Sequence, residues 1–189
     1  MSENANGLKR AVFLDRDGTI NRAIVRDGKP YPPATLMEFE LLPGAVQAIE
    51  GLQKAGFLII IVTNQPDVAI GVQKREVVEA MHDNLLSAGL CDDIKVCYHV
   101  DADNCKCRKP QPGMLLEAAS QWQVDLAQSF MVGDRSRDVA AGKAAGCFTY
   151  FIDHGYLERL ADDPDAIVGS LEEAGRLILR KIQIQRELA

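Results

Sequence analysis

Short apolar runs alternate with amphipathic stretches along most of this chain. The apolar runs are typical of buried strands, and they predict strands over residues 10–14, 57–63, 94–98, 130–132 and 147–152. Between these runs, apolar residues recur every three or four positions, which predicts helices over residues 43–55, 74–87, 113–122 and 137–145 and from Ser170 onwards. The alternation predicts an α/β fold: a doubly wound parallel sheet of the Rossmann type, with helices on both faces.

The length and composition fit a single soluble domain over residues 1–189. The chain of 189 residues can bury one sizeable core, and its 47% hydrophobic and 25% charged residues are ordinary for a globular protein. Residues 1–8 are polar and are expected to form a disordered tail without the apolar core of a signal peptide. No apolar run is long enough to span a bilayer. We therefore expect a cytoplasmic monomer.

The net charge of −6 disfavours a surface that binds nucleic acid or an anionic membrane. A small anionic ligand is compatible with this charge, because basic residues can be concentrated locally. Seven of them lie close to the polar segments described next: Arg22, Arg26, Lys29, Arg108, Lys109, Arg135 and Arg137.

Polar side chains follow three of the predicted strands at the point where each strand ends. They are Asp15 and Asp17 after the first strand, Thr63, Asn64 and Gln65 after the second, and Asp134 and Asp138 after the fourth. Ligands of open parallel sheets bind outside the carboxyl ends of the strands, so these groups are expected to converge at one edge. The i, i+2 spacing of Asp15 and Asp17 points both side chains to the same side of an extended segment, as a site for a hard cation requires.

Each segment alone has a simpler explanation. An Asp-x-Asp-Gly sequence also occurs in calcium loops and turns, and Thr63 alone fits an ordinary polar strand end. The basic pair Arg108 and Lys109 fits a solvated turn, and Asp138 fits a helix cap. Because these segments occur together, a shared site is favoured over four coincidences.

A cluster of metal-ligand residue types occupies the loop 97–107. Cys97, His99, Cys105 and Cys107 fall within 11 residues, and thiolates with an imidazole are the ligands of a closed tetrahedral zinc site. Four protein ligands leave no open position, so the predicted zinc is structural. The alternative is a set of reduced surface cysteines beside an ordinary histidine.

The three polar strand ends and the segment with Arg108 and Lys109 resemble the four motifs of the haloacid dehalogenase-type phosphatase superfamily. They occur in the order of the family's motifs, over about residues 10–153. The resemblance implies an enzyme in which Asp15 attacks phosphorus and forms an aspartyl-phosphate, while Asp17 acts as general acid and base. It also implies Mg²⁺ held by Asp15, the Asp17 main-chain carbonyl and Asp134, and phosphoryl oxygens held by Thr63 and Lys109.

The cysteine cluster and the following Arg108-Lys109-Pro110 are similar to the capless branch that contains heptose bisphosphate phosphatases and histidinol-phosphate phosphatases. The local sequences around Asp15, Thr63 and Lys109 are more similar to those of the heptose enzymes. The resemblance therefore implies removal of the 7-phosphate of D-glycero-D-manno-heptose 1,7-bisphosphate. Arg108 is the candidate for the second phosphate, and the further substrate-binding candidates are Asn64, Gln65 and Arg135. Two segments depart from the heptose pattern: Pro66-Asp67 and the loop 22–33.

Other functions remain open at this point. Histidinol-phosphate phosphatase is the main alternative, followed by another small sugar phosphatase and by a polynucleotide 3′-phosphatase, which the net charge disfavours. A catalytically dead, zinc-stabilised interaction module is the least favoured, since every expected catalytic side chain is present: Asp15, Asp17, Thr63, Lys109 and Asp134.

Overall fold

The computed structural model describes residues 7–187 apart from the side chain at position 186, and within them six parallel strands form one sheet. In chain order the strands are β1 (Arg10–Leu14), β2 (Ile24–Arg26), β3 (Lys29–Tyr31), β4 (Phe57–Asn64), β5 (Asp93–Cys97), β6 (Phe130–Gly133), β7 (Phe148–Ile152) and β8 (Ala166–Val168). The sheet order is β5-β4-β1-β6-β7-β8, and β2 pairs with β3 as a separate antiparallel hairpin. The predicted disordered tail falls mostly on residues 1–6, outside the described residues.

Helices cover both faces of the sheet, as the alternation predicted. They are α1 (Ala45–Lys54), α2 (Arg75–Ser87), α3 (Gly113–Trp122), α4 (Ser136–Ala145) and α5 (Leu171–Glu187). Ser170 accepts a hydrogen bond from the Glu173 N–H at 3.1 Å and so caps α5. No helix among the described residues combines the length and the apolar character needed to cross a membrane.

The central strand β4 shows why the sheet is buried on both faces. Its residues Ile59 and Ile61 pack into the core beneath α1 and α5, whereas Ile60 and Val62 pack into the core beneath α3 and α4. Both sets are completely buried, which accounts for a continuous apolar run instead of an alternating one. The predicted fold class is confirmed.

The prediction of a loop over residues 22–33 is wrong, because this segment contains the β2–β3 hairpin. Its turn residues Asp27 and Gly28 both have positive φ, 50° and 72°, as a two-residue hairpin turn requires. Asp-Gly is a recognised hairpin signal, but the flanking strands have only three residues each and β3 contains Pro30. Strand β8 was not predicted either, and it also has only three residues.

The predicted absence of a large cap is confirmed for the described residues. The segment between β1 and β4 holds this small hairpin and α1, and the segment between β4 and β6 is used mainly by α2, β5 and α3. The carboxyl edge of the sheet is therefore open towards solvent.

The register of the sheet sets the positions of the polar strand ends. Leu14 of β1 lies beside Ile61 of β4 and Val132 of β6, so Asp15 follows between the ends of these two strands. The Asp15 N–H donates to the Val132 carbonyl at 2.9 Å and extends this pairing. The central position of β1 thus surrounds Asp15 with groups from both neighbours.

Candidate functional site

Three buried carboxylates form the centre of the site. Asp15 follows β1, Asp134 follows β6 and Asp138 lies in the first turn of α4. One oxygen from each of the three lies within 4.8 Å of the others, and the residues are 7%, 2% and 1% exposed, respectively. Like charges this close and this buried are unfavourable unless a cation or a proton compensates them.

Lys109 supplies the positive charge within this group. Its ammonium lies 2.6 Å from Asp15 Oδ1 and 2.6 Å from Asp138 Oδ1, and it donates to the Val62 carbonyl at 2.7 Å. Burial alone would lower the pKa of Lys109, but the Asp138 and Asp15 carboxylates raise it above its usual value. One ammonium faces three carboxylates, so the cluster keeps an excess of negative charge.

Asp134 shows where a further cation fits. Its carboxylate oxygens accept no hydrogen bond of ordinary geometry among the described residues, although the Tyr156 hydroxyl interacts with them. Burial, with Asp15 and Asp138 nearby, raises the pKa of Asp134 well above its usual value. Burial likewise raises the pKa of Asp15 to about 7, against the opposing effect of Lys109. Buried carboxylate oxygens that accept no hydrogen bond of ordinary geometry are suitable ligands for a hard divalent cation, so these residues fit Mg²⁺.

Asp138 makes two contacts, and they define a role that the sequence left open. Its Oδ2 accepts a hydrogen bond from the Arg135 N–H at 2.9 Å and caps α4, while its Oδ1 pairs with Lys109. The helix-cap explanation is therefore incomplete. The sequence signal was present, since Asp138 stands four residues after Asp134, but a cap and a charge partner have the same local pattern.

The polar end of β4 fixes the neighbouring groups. The Asn64 amide donates to the Lys109 carbonyl at 3.0 Å and accepts from the Lys109 N–H at 3.1 Å, which ties the Lys109 backbone to β4. Gln65 is buried and donates to Thr63 Oγ1 at 2.9 Å and to Asp17 Oδ2 at 2.8 Å. The predicted substrate contacts of Asn64 and Gln65 stay predictions, because here both amides bind protein groups.

A cavity of about 250 Å³ opens above the carboxylates. Its lining includes Asp15, Asp17, Thr63, Asn64 and Lys109 from the predicted site, together with Arg108, Arg135 and Arg137 and the hairpin residues Pro30 and Tyr31. The structure thus brings these predicted residues to one place. Gln65 and Asp134 do not line the cavity, although Asp134 lies beside Asp15. The segment 22–33 was expected to border the site, and its hairpin residues do line the cavity, whereas Arg137 was not among the predicted site residues.

The arginines around the cavity are held by acidic partners. Arg108 Nε donates to Asp101 Oδ1 at 2.6 Å, and its buried Nη1 has no hydrogen-bond partner among the described residues. Arg135 binds Glu158 through two nitrogens, at 2.6 and 2.7 Å.

The four metal-ligand side chains of the loop 97–107 meet at one point. Cys107 Sγ lies 3.3 Å from Cys97 Sγ, 3.4 Å from Cys105 Sγ and 3.3 Å from His99 Nδ1. Cys97 Sγ lies 3.7 Å from Cys105 Sγ. A tetrahedral zinc ion with zinc–sulfur distances of about 2.3 Å places its sulfur ligands about 3.8 Å apart. The cluster therefore has nearly the size of an occupied zinc site.

Comparison with known proteins adds a family and named relatives. Residues 31–146 match the family of haloacid dehalogenase-like hydrolases. The chain is 40% identical over 148 residues to the D-glycero-beta-D-manno-heptose-1,7-bisphosphate 7-phosphatase of Rhodopseudomonas palustris, across 72% of this chain and 79% of that protein. It is 37% identical over 149 residues to the Pasteurella multocida protein of the same name, across 73% of this chain and 78% of that one.

The fold is also similar to a solved structure. The crystal structure of D,D-heptose 1,7-bisphosphate phosphatase from B. bronchiseptica, complexed with magnesium and phosphate, superposes with a TM-score of 0.79 at 30% identity. The similarity covers 91% of this chain and 99% of that chain.

Substitution of Gly18 tests whether Asp134 must lie close to the backbone after β1. A Cβ at Gly18 would lie 1.9 Å from Asp134 Oδ2, so Gly18→Ala should displace the carboxylate and weaken Mg²⁺ binding by about tenfold or more. Isothermal titration calorimetry with Mg²⁺ measures this change.

Gly146→Ala is the matched control for the substitution at Gly18. Both glycines have a φ of 87°, but a Cβ at Gly146 meets nothing within 4 Å. Both variants should lose about 1–2 kcal/mol of stability from backbone strain, and only Gly18→Ala should bind Mg²⁺ more weakly. Equal Mg²⁺ affinity in the two variants would contradict the assigned position of Asp134.

Proposed function

We propose, from the premise that this chain belongs to the haloacid dehalogenase-like hydrolase family, that it removes the 7-phosphate of D-glycero-D-manno-heptose 1,7-bisphosphate. It is a phosphatase that works through an aspartyl-phosphate. The observation that carries this proposal is the buried pair of Asp15 and Lys109, at 2.6 Å, on the floor of a cavity edged by arginines. The names and the extent of the matched relatives support the substrate.

Asp15 is the nucleophile of the first step. Its carboxylate attacks phosphorus, the bond from phosphorus to the sugar oxygen breaks, and Asp17 gives a proton to that oxygen. Lys109 favours the ionised Asp15 and, with Thr63, contacts the phosphoryl oxygens. Mg²⁺, when held by Asp15, Asp134 and the Asp17 main-chain carbonyl, supplies the positive charge that lets an anionic nucleophile approach an anionic phosphate.

The second step returns the enzyme to its starting state. Asp17 accepts a proton from water, the water oxygen attacks phosphorus, and the bond between phosphorus and Asp15 breaks. The products are inorganic phosphate and the free Asp15 carboxylate. Asp17 lines the same cavity as Asp15, as both of its roles require.

Arg108 accounts for a preference for a bisphosphate. Its guanidinium lines the cavity next to Lys109, and its Nη1 has no partner among the described residues. A guanidinium binds phosphate through two nitrogens with a defined orientation. We assign the non-reacting phosphate to Arg108, with Arg135 and the hairpin residues Pro30 and Tyr31 beside the sugar.

Zinc is the proposed occupant of the cluster formed by Cys97, His99, Cys105 and Cys107. The ligand types and the spacing of their atoms support a closed, structural site. This loop leads directly to Arg108 and Lys109, and the Arg108 N–H lies 3.4 Å from Cys105 Sγ. Zinc would thus fix the backbone from which two site residues extend.

Asp15→Asn tests the proposed nucleophile. A neutral amide cannot attack phosphorus, so release of inorganic phosphate from the heptose bisphosphate should fall by roughly 10⁴-fold or more. Phosphorus NMR should show the wild type removing the 7-phosphate and leaving the 1-phosphate. Asp163→Asn makes the same change at an exposed carboxylate and should have wild-type activity. Substantial turnover by Asp15→Asn would rule out the aspartyl-phosphate route.

Arg108→Ala tests the assignment of the second phosphate. It should cost about 2–4 kcal/mol in kcat/KM for the bisphosphate and much less for p-nitrophenyl phosphate, which has a single phosphate. Lys109→Ala should impair both substrates, because Lys109 contacts the phosphate being transferred. As a control, Arg22→Ala removes an arginine that does not line the cavity and should affect neither substrate. Equal losses for both substrates in Arg108→Ala would remove the bisphosphate argument.

Metal analysis tests the zinc site. The purified protein should contain about one zinc per chain, since four ligands form one site. Cys107→Ser should lose the metal and lower the melting temperature, because metal binding contributes to the stability of the fold. Cys91→Ser changes a buried cysteine outside the cluster and should keep the zinc. A zinc-free protein with full stability would refute the assignment.

A further inference from the structure

A buried arginine, Arg16, binds the carboxylate of Asp17. The side chain of Arg16 is 0% exposed. Its Nε and Nη2 donate to Asp17 Oδ1 at 3.1 and 3.0 Å, and Nη2 also reaches Oδ2 at 2.9 Å. Arginine stays protonated in proteins, so this contact places a permanent positive charge beside Asp17.

The other end of the guanidinium is held by a histidine from α2. Arg16 Nη1 lies 2.9 Å from His82 Nε2, and His82 is 6% exposed. A guanidinium can only donate, so His82 Nε2 is the acceptor and the ring proton lies on Nδ1. Burial and the nearby Arg16 lower the pKa of His82 to about 4, which is consistent with a neutral ring.

The remaining contacts of the Asp17 carboxylate are also donors. The Asn21 amide donates to Oδ1 at 3.0 Å and the Gln65 amide donates to Oδ2 at 2.8 Å. Both oxygens therefore meet only N–H groups among the described residues. Contacts from three side chains fix the orientation of the Asp17 carboxyl group.

We propose that Arg16 and His82 are positioning residues that orient the Asp17 carboxyl group for the second step, the hydrolysis of the aspartyl-phosphate. In that step an O–H bond of water breaks, its proton passes to Asp17, the water oxygen bonds to phosphorus, and the bond between phosphorus and Asp15 breaks. His82 acts through Arg16, and neither residue contacts the substrate. This inference rests on the proposed aspartyl-phosphate mechanism.

The two half-reactions should respond differently to loss of this support. The second step needs the Asp17 carboxyl group oriented towards the attacking water, and the contact with Arg16 sets that orientation. The first step needs a proton on Asp17 only when the leaving group is a poor one, and p-nitrophenolate leaves without that assistance. A defect in folding or in metal binding would slow both steps together.

Rapid-quench kinetics with p-nitrophenyl phosphate and Mg²⁺ separates the steps. The burst of p-nitrophenolate reports formation of the aspartyl-phosphate, and its decay after a chase reports hydrolysis. His82→Leu and Arg16→Met should slow hydrolysis by about 10- to 100-fold, the cost of losing a hydrogen bond to a charged group, with the burst rate within about twofold of wild type. Mass spectrometry should find more phosphate on the peptide containing Asp15 at steady state.

Two further variants separate positioning from packing. His82→Gln keeps an acceptor for Arg16 and should restore hydrolysis to within about threefold of wild type. Val78→Ala removes buried volume one turn earlier in α2, and it should lower the melting temperature without changing the ratio of the two rates.

Two results would overturn the inference. If the burst and the hydrolysis slow in proportion in His82→Leu, or if His82→Gln is as impaired as His82→Leu, the Arg16–His82 pair has no role in positioning Asp17 for the second step. If the wild type turns over without any phosphorylated Asp15, the proposed function fails, and this inference fails with it.

Discussion

The site depends on one electrostatic constraint: three buried carboxylates share a single buried ammonium. Burial of charge is costly, and the attraction between Lys109 and its partners Asp15 and Asp138 offsets only part of that cost. Asp134 receives no cation in this arrangement, and its oxygens accept no hydrogen bond of ordinary geometry among the described residues. A divalent cation would relieve this excess of negative charge, which is the basis for the proposed Mg²⁺ site. The groups are held together because the sheet and α4 fix their backbones, with Asp15 between the ends of β4 and β6.

The surrounding layer of contacts gives each acidic group a different role. Asp15 and Asp138 share Lys109, Asp134 lies beside both without an ion pair of its own among the described residues, and Asp17 accepts hydrogen bonds from Arg16, Asn21 and Gln65. The proposed mechanism accordingly gives similar carboxylates the roles of nucleophile, metal ligand and proton carrier. The loop 97–107 adjoins these groups, because it leads directly to Arg108 and Lys109 and the Arg108 N–H lies 3.4 Å from Cys105 Sγ.

The sequence predicted the parallel sheet and the main elements because their apolar periodicity is local and strong. It also indicated Asp15, Asp134, Lys109 and the four zinc ligands, since strand ends and ligand spacings can be recognised along the chain. The β2–β3 hairpin was missed because its strands are too short to show a period. The contact between Arg16 and His82 has no sequence signal at all, because 66 positions separate the two residues and their proximity depends on how α2 packs.

The most direct test of the central constraint is thermal denaturation of the wild type and of Asp134→Asn, each with and without Mg²⁺. Mg²⁺ should raise the melting temperature of the wild type by several degrees, because it binds the folded state only. Asp134→Asn removes the unpartnered charge and keeps the shape, so without Mg²⁺ it should be at least as stable as the wild type and should respond little to Mg²⁺. A wild type that Mg²⁺ does not stabilise, or a variant that is less stable without Mg²⁺ and keeps the full response, would contradict the view that excess buried charge creates the metal site.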